Sequence, residues 1–101
     1  LHWEIFLGKN VIETHPHLEA RMRERGVSLK EIEKTLENGW LAKDAKPRTY
    51  GKVYIFPYNK DWCGKVFEEK EVTVYYKFIG EKIIVLTVKA RYGKFSKGGK
   101  K

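Results

Sequence analysis

The sequence predicts an α+β fold, an N-terminal helix hairpin packed on one face of a three- to four-stranded antiparallel sheet. Two observations carry this. Helical periodicity and helix-capping signals fill the first forty residues, and from Arg48 onward the apolar period changes from 3.6 to 2. Helices followed by strands is the order of an α+β layer pair.

The elements follow in turn. Trp3–Leu7 reads as a short strand or an anchoring segment, ended by Gly8-Lys9-Asn10. Thr14 or His15 can cap the first helix, with Pro16 in its first turn, where a missing N–H costs nothing. Leu18 and Met22 form its apolar face, and Gly26 is placed to end it in a left-handed conformation. Ser28 and Glu31 make a capping box for the second helix, whose stripe is Leu29, Ile32 and Leu36. Gly39 closes that helix, with Trp40 expected to fold back onto its end.

Strands are predicted at Tyr50–Pro57, more weakly at Lys65–Phe67, and at Glu71–Phe78 and Lys82–Arg91. Asn59–Gly64 reads as a surface loop, and Ile79-Gly80-Glu81 as a hairpin loop. Strict alternation groups Ile84, Leu86, Val88 and Ala90 with Val72, Val74, Tyr76 and Phe78 on the helix-covered face. Tyr75, Thr87, Lys89 and Arg91 then share the open face. Residues 1–95 are expected to form one domain and 96–101 a basic tail.

The 101 residues carry 21 Lys+Arg against 13 Asp+Glu, a formal net charge of +8. Residues 1–40 hold six bases against seven acids, while residues 41–101 hold fifteen against six. After Glu81 there is no acid at all. An excess placed this way points to a polyanion, with nucleic acid first and an acidic protein second. No apolar run approaches the ~18 residues of a membrane span, and the N-terminus does not read as a secretory leader. Hydrophobic residues at 42% exclude disorder for most of the chain. One cysteine, Cys63, excludes an intrachain disulfide and a Cys-based zinc site, and suits a reducing, cytoplasmic setting. Abundant Lys and Glu with no Gln suit a thermophile.

His17, Arg21 and Arg25 stand at i, i+4, i+8 along one edge of the first helix. A histidine can move a proton near neutral pH, and two guanidiniums can clamp phosphate and stabilise charge in a phosphoryl-transfer transition state. Those groups suffice for metal-independent cleavage of RNA. The same arginines can instead form surface ion pairs with the nearby Glu13, Glu19 and Glu24. His15-Pro16-His17 lacks the further ligands a metal needs, so neither a metal site nor a cofactor is expected.

The run His17–Ser28, followed by Glu31-Ile32, Leu36 and Asn38-Gly39, and the later Val85-Leu86-Thr87-Val88 resemble a widespread bacterial and archaeal family of small domains. That family is grouped with the RelE toxins in the barnase–EndoU–colicin–RelE class of nuclease folds. The resemblance covers most of residues 15–92. It implies two helices on a four-stranded antiparallel sheet and a metal-independent endoribonuclease of a toxin–antitoxin pair. It sets His17, Arg21 and Arg25 as catalytic residues and Thr87 at the strand end. Tyr75, Lys89, Arg91 and Tyr92 complete the expected RNA-holding surface, which an acidic antitoxin would cover. The alternative is a non-catalytic module binding nucleic acid or an acidic protein.

Overall fold

The computed structural model describes residues 4–7, 10–14 and 16–95. The expectations for Trp3, Gly8, Lys9, His15 and the tail 96–101 lie outside them.

The chain order is β1 (Glu4–Leu7), β2 (Asn10–Glu13), α1 (Pro16–Arg25), α2 (Leu29–Asn38), β3 (Trp40–Leu41), β4 (Tyr50–Trp62), β5 (Lys65–Ile79) and β6 (Lys82–Gly93). The strands form one sheet in the order β1-β2-β6-β5-β4-β3. The α+β class and the helix pair are as expected. The sheet is not: among the described residues it has six strands, and β2 runs parallel to β6 through Val11↔Lys82, Ile12↔Ile83 and Glu13↔Ile84. A four-residue strand paired with a segment some seventy residues away leaves no local periodicity to read.

Both helix boundaries follow from capping chemistry. Gly26, at φ +71, ends α1 in a Schellman arrangement, with Val27 N–H donating to Met22 O (2.9 Å) and Gly26 N–H to Arg23 O (3.3 Å). Ser28 Oγ accepts from Glu31 N–H at 3.1 Å, and Glu31 Oε1 accepts from Ser28 N–H at 2.9 Å, closing the predicted box. One core unites Leu18 and Met22 of α1, Ile32 and Leu36 of α2, Ile12 of β2, and Val72, Val74, Val85 and Val88 of the sheet. Each such side chain contributes roughly 1.5–3 kcal/mol when fully buried.

The strands are longer than their sequence pattern. The weak segment Lys65–Phe67 and Glu71–Phe78 are parts of one 15-residue strand. Asn59–Trp62 is not loop but the end of β4, which turns into β5 at Cys63-Gly64, both left-handed (φ 55 and 90).

A bulge between Tyr75 and Tyr76 corrects the predicted faces of β6. Tyr75 faces Thr87 but Tyr76 faces Val85, so Leu86 is extra. Val88 and Ala90 keep the helix-covered side, whereas beyond the bulge Val85 and Ile83 take it and Ile84 and Leu86 leave it. Val85 and Ile83 are accordingly buried, and Ile84 and Leu86 only partly so. No helix among the described residues is long and apolar enough to cross a membrane.

Candidate nucleic-acid interface

The face of the sheet turned away from the helices is built in rows set by strand register. Trp40, Val53, Thr73 and Lys89 align across β3, β4, β5 and β6. The next row is Gly51, Tyr75 and Thr87, and the row on the other side is Ile55, Glu71 and Arg91. Gly51 has a specific part in this. A Cβ there would stand 3.1 Å from the Tyr75 ring and 2.8 Å from Ala42, so only glycine lets the tyrosine lie across β4. Tyr75 thereby reaches the segment after β3, where its hydroxyl donates to the Asp44 carboxylate, 2.9 Å from either oxygen.

Lys89 completes that contact. Its ammonium is 3.5 Å from Asp44 Oδ2 and 5.2 Å from the Tyr75 ring centroid. The Tyr75 hydrogen bond and the Lys89 charge hold the Asp44 carboxyl below its ordinary pKa. Lys89 is shifted upward, first through Tyr75 and then through Asp44. One row away, Arg91 Nε donates to Glu71 Oε1 at 2.8 Å, which raises the guanidinium's pKa, and the same group lies 4.9 Å from the Phe95 ring centroid.

These residues line a groove of about 700 Å³. Its cations are Arg25, Lys43, Lys89 and Arg91, its acids Asp44 and Glu71, and its aromatic surfaces Trp40 and Tyr75. Trp40 does not fold back onto α2 as expected; it opens β3 and is 42% exposed. Arg25 enters from α1 because β2 pairs with β6 only as far as Ile84, leaving the rest of β6 without a strand on that side among the described residues.

The sequence-predicted residues separate into four places. Tyr75, Lys89, Arg91 and Arg25 meet at the groove, while Thr87 lines a neighbouring cavity of about 350 Å³ with Lys46 and Thr49. His17 and Arg21 are exposed on α1 and are not among the residues lining either cavity. Glu24 Oε1 is 3.7 Å from Arg21 and 3.4 Å from Arg25, the surface pairing that was the alternative to a phosphate clamp. Of His17, Arg21 and Arg25, it is Arg25 that lines the groove.

Tyr92 is the fourth case. A strand sends successive side chains to opposite faces, so Tyr92 points to the helix side while Arg91 points to the groove. Its hydroxyl donates to Arg25 O at 2.7 Å, its ring stacks on Trp62 (centroids 4.7 Å apart, planes at 14°), and burial pushes its pKa upward. Beside it, the Lys70 ammonium donates to Gly26 O and to Glu31 Oε1, the latter at 2.8 Å. The Arg25-Gly26…Ser28…Glu31 signature thus docks the helix turn onto Lys70, Tyr92 and Trp62.

Sequence reading missed Trp40, Lys43, Asp44 and Glu71. Glu71 had a usable signal, since it alternates in phase with Thr73 and Tyr75; Asp44 lies in an irregular segment that has none. Among the described residues no group of three or more His, Cys, Asp or Glu is placed to hold a metal ion.

Chemically, an aromatic and cationic open sheet face can stack bases and hold phosphates. A family model described as "Domain of unknown function (DUF4258)" matches residues 14–89. Among curated proteins and among solved structures, nothing matches the chain.

Proposed function

The chain belongs to the family described as a domain of unknown function (DUF4258), and from that premise we propose that it binds single-stranded RNA through the sheet-face groove. One observation carries the reading: Trp40 and Tyr75 stand in one groove with Arg25, Lys43, Lys89 and Arg91. Exposed aromatics offer platforms for unpaired bases, and cations at the same surface take the backbone. The groove's four cations against two acids keep it positive at neutral pH.

The proposal extends to a RelE-like domain whose groove an acidic antitoxin segment would fill in competition with RNA. Binding is the reading put forward, because the groove's lining brings aromatic and cationic side chains together.

The test is fluorescence anisotropy with a labelled single-stranded oligoribonucleotide over a salt series. Affinity should fall steeply with salt. Lys89→Ala with Arg91→Ala should weaken it about tenfold or more, while His17→Ala leaves it unchanged. RNA incubated with the protein and a chelator should stay intact. Salt-independent binding, or no binding, overturns the reading; cleavage abolished by His17→Ala would restore the nuclease expectation.

A further inference from the structure

The groove and the cavity beside it share three lining residues, Asp44, Tyr75 and Lys89. These three are also the ones bonded to each other, hydroxyl to carboxylate at 2.9 Å and carboxylate to ammonium at 3.5 Å. A polar bridge of three side chains therefore lies at the border of the two cavities. Asp44 and Lys89 are both well exposed, at 64% and 53% of their side chains. An exposed pair of this kind is weak, so its carboxylate is readily exchanged for another anion.

We propose that the bridge is a phosphate subsite. A backbone phosphodiester of the bound strand replaces the Asp44 carboxylate on Lys89 and Tyr75, so that one RNA segment runs through both cavities. The carboxylate is the chemical stand-in: two oxygens sharing one negative charge, as in the two non-bridging oxygens of a phosphodiester. Tyr75 donates its hydroxyl to that anion while its ring remains available to a base.

Beyond the bridge the second cavity continues the same chemistry with Lys46, Thr49 and Thr87. Lys46 is presented by a tight turn in which its carbonyl accepts from both Thr49 N–H (3.0 Å) and Thr49 Oγ1–H (2.6 Å). From Thr87 to Arg91 along β6 is about 13 Å at ~3.3 Å per residue, a length that suits an oligonucleotide rather than a mononucleotide. Asp44 thus acts against ligand in the free protein, and Thr87 and Lys46 become part of the RNA surface.

The inference rests on the groove being an RNA site, and the experiment separates the two. Labelled oligoribonucleotides of about two and about eight nucleotides are titrated into the wild type, Asp44→Asn, Lys46→Ala and Arg91→Ala, each shown to be folded by circular dichroism. Asp44→Asn should bind the longer probe threefold to fivefold more tightly, the weight of one exposed ion pair. Lys46→Ala should weaken the longer probe and leave the shorter one unchanged, while Arg91→Ala weakens both. If the wild type binds but Asp44→Asn binds equally or more weakly, the subsite is overturned and the groove stands. Equal loss from Lys46→Ala for both probes, or none for either, also overturns it. If no protein binds either probe, the RNA reading falls and the subsite with it.

Discussion

The two faces of the sheet carry the same three chemical groups and use them differently. On the helix side, Lys70 pairs with Glu31 and lies 5.6 Å from the Tyr92 ring centroid. On the open side, Lys89 pairs with Asp44 and lies 5.2 Å from the Tyr75 ring centroid. The Lys70 side chain is 4% exposed and that of Lys89 is 53% exposed. A buried charge must keep its partners, because water cannot replace them; an exposed one exchanges them at little cost. The first cluster is therefore a joint between helix turn and sheet, and the second is a surface open to ligand.

Removing the buried ammonium should break the comparison most visibly. Lys70→Ala takes the ammonium from Gly26 O and the charge partner from Glu31, and should lower unfolding free energy by roughly 3–5 kcal/mol in urea titrations. A loss below about 1 kcal/mol, the range of exposed pairs, would mean the two clusters do not differ in kind. Gly26→Ala comes next, at about 2–3 kcal/mol. It forces an alanine to φ +71 and puts its Cβ 2.5 Å from the Trp62 ring. Both variants act on stability.

The open cluster should answer in the other observable. Tyr75→Ala should weaken binding of single-stranded RNA by about tenfold, within the ~1–3 kcal/mol of one base–aromatic stack. Its melting should shift far less than that of Lys70→Ala. If Tyr75→Ala unfolds the chain instead, the groove is framework rather than surface.

A subtler effect concerns Tyr92 of the helix side at high pH. Burial holds the Tyr92 hydroxyl above its ordinary value of 10.0, so the folded chain keeps that proton more tightly than the unfolded one. Its contribution is whole below pH 10 and is lost as pH rises beyond it. Tyr92→Phe should cost about 1 kcal/mol at neutral pH, through the lost bond to Arg25 O, and should blunt the alkaline loss. An alkaline limb of Tyr92→Phe identical to that of the wild type would contradict this.

Much of the helix side was legible because its determinants are local. Gly26, Ser28 and Glu31 announce a Schellman end and a capping box within six residues, and both form. The positive, aromatic character of the open face was legible from alternation as far as Tyr75, Thr87, Lys89 and Arg91. The rest depended on long-range geometry. The bulge at Leu86 reverses the faces of Ile83–Val85 with no break in apolar content. The parallel pairing of β2 with β6 joins distant segments. Tyr92 was placed on the ligand surface through the family resemblance, whereas strand alternation turns it to the face opposite Arg91. The i, i+4, i+8 spacing of His17, Arg21 and Arg25 is local to α1, whereas the meeting of Arg25 with the groove depends on how α1 sits against β6.

The most direct test of this division is an amide chemical-shift titration with a single-stranded oligoribonucleotide. The account predicts saturable shifts at Trp40, Asp44, Tyr75, Thr87, Lys89 and Arg91, with the amides of Lys70 and Glu31 unmoved. Shifts centred on His17 and Arg21 with the groove silent would contradict it.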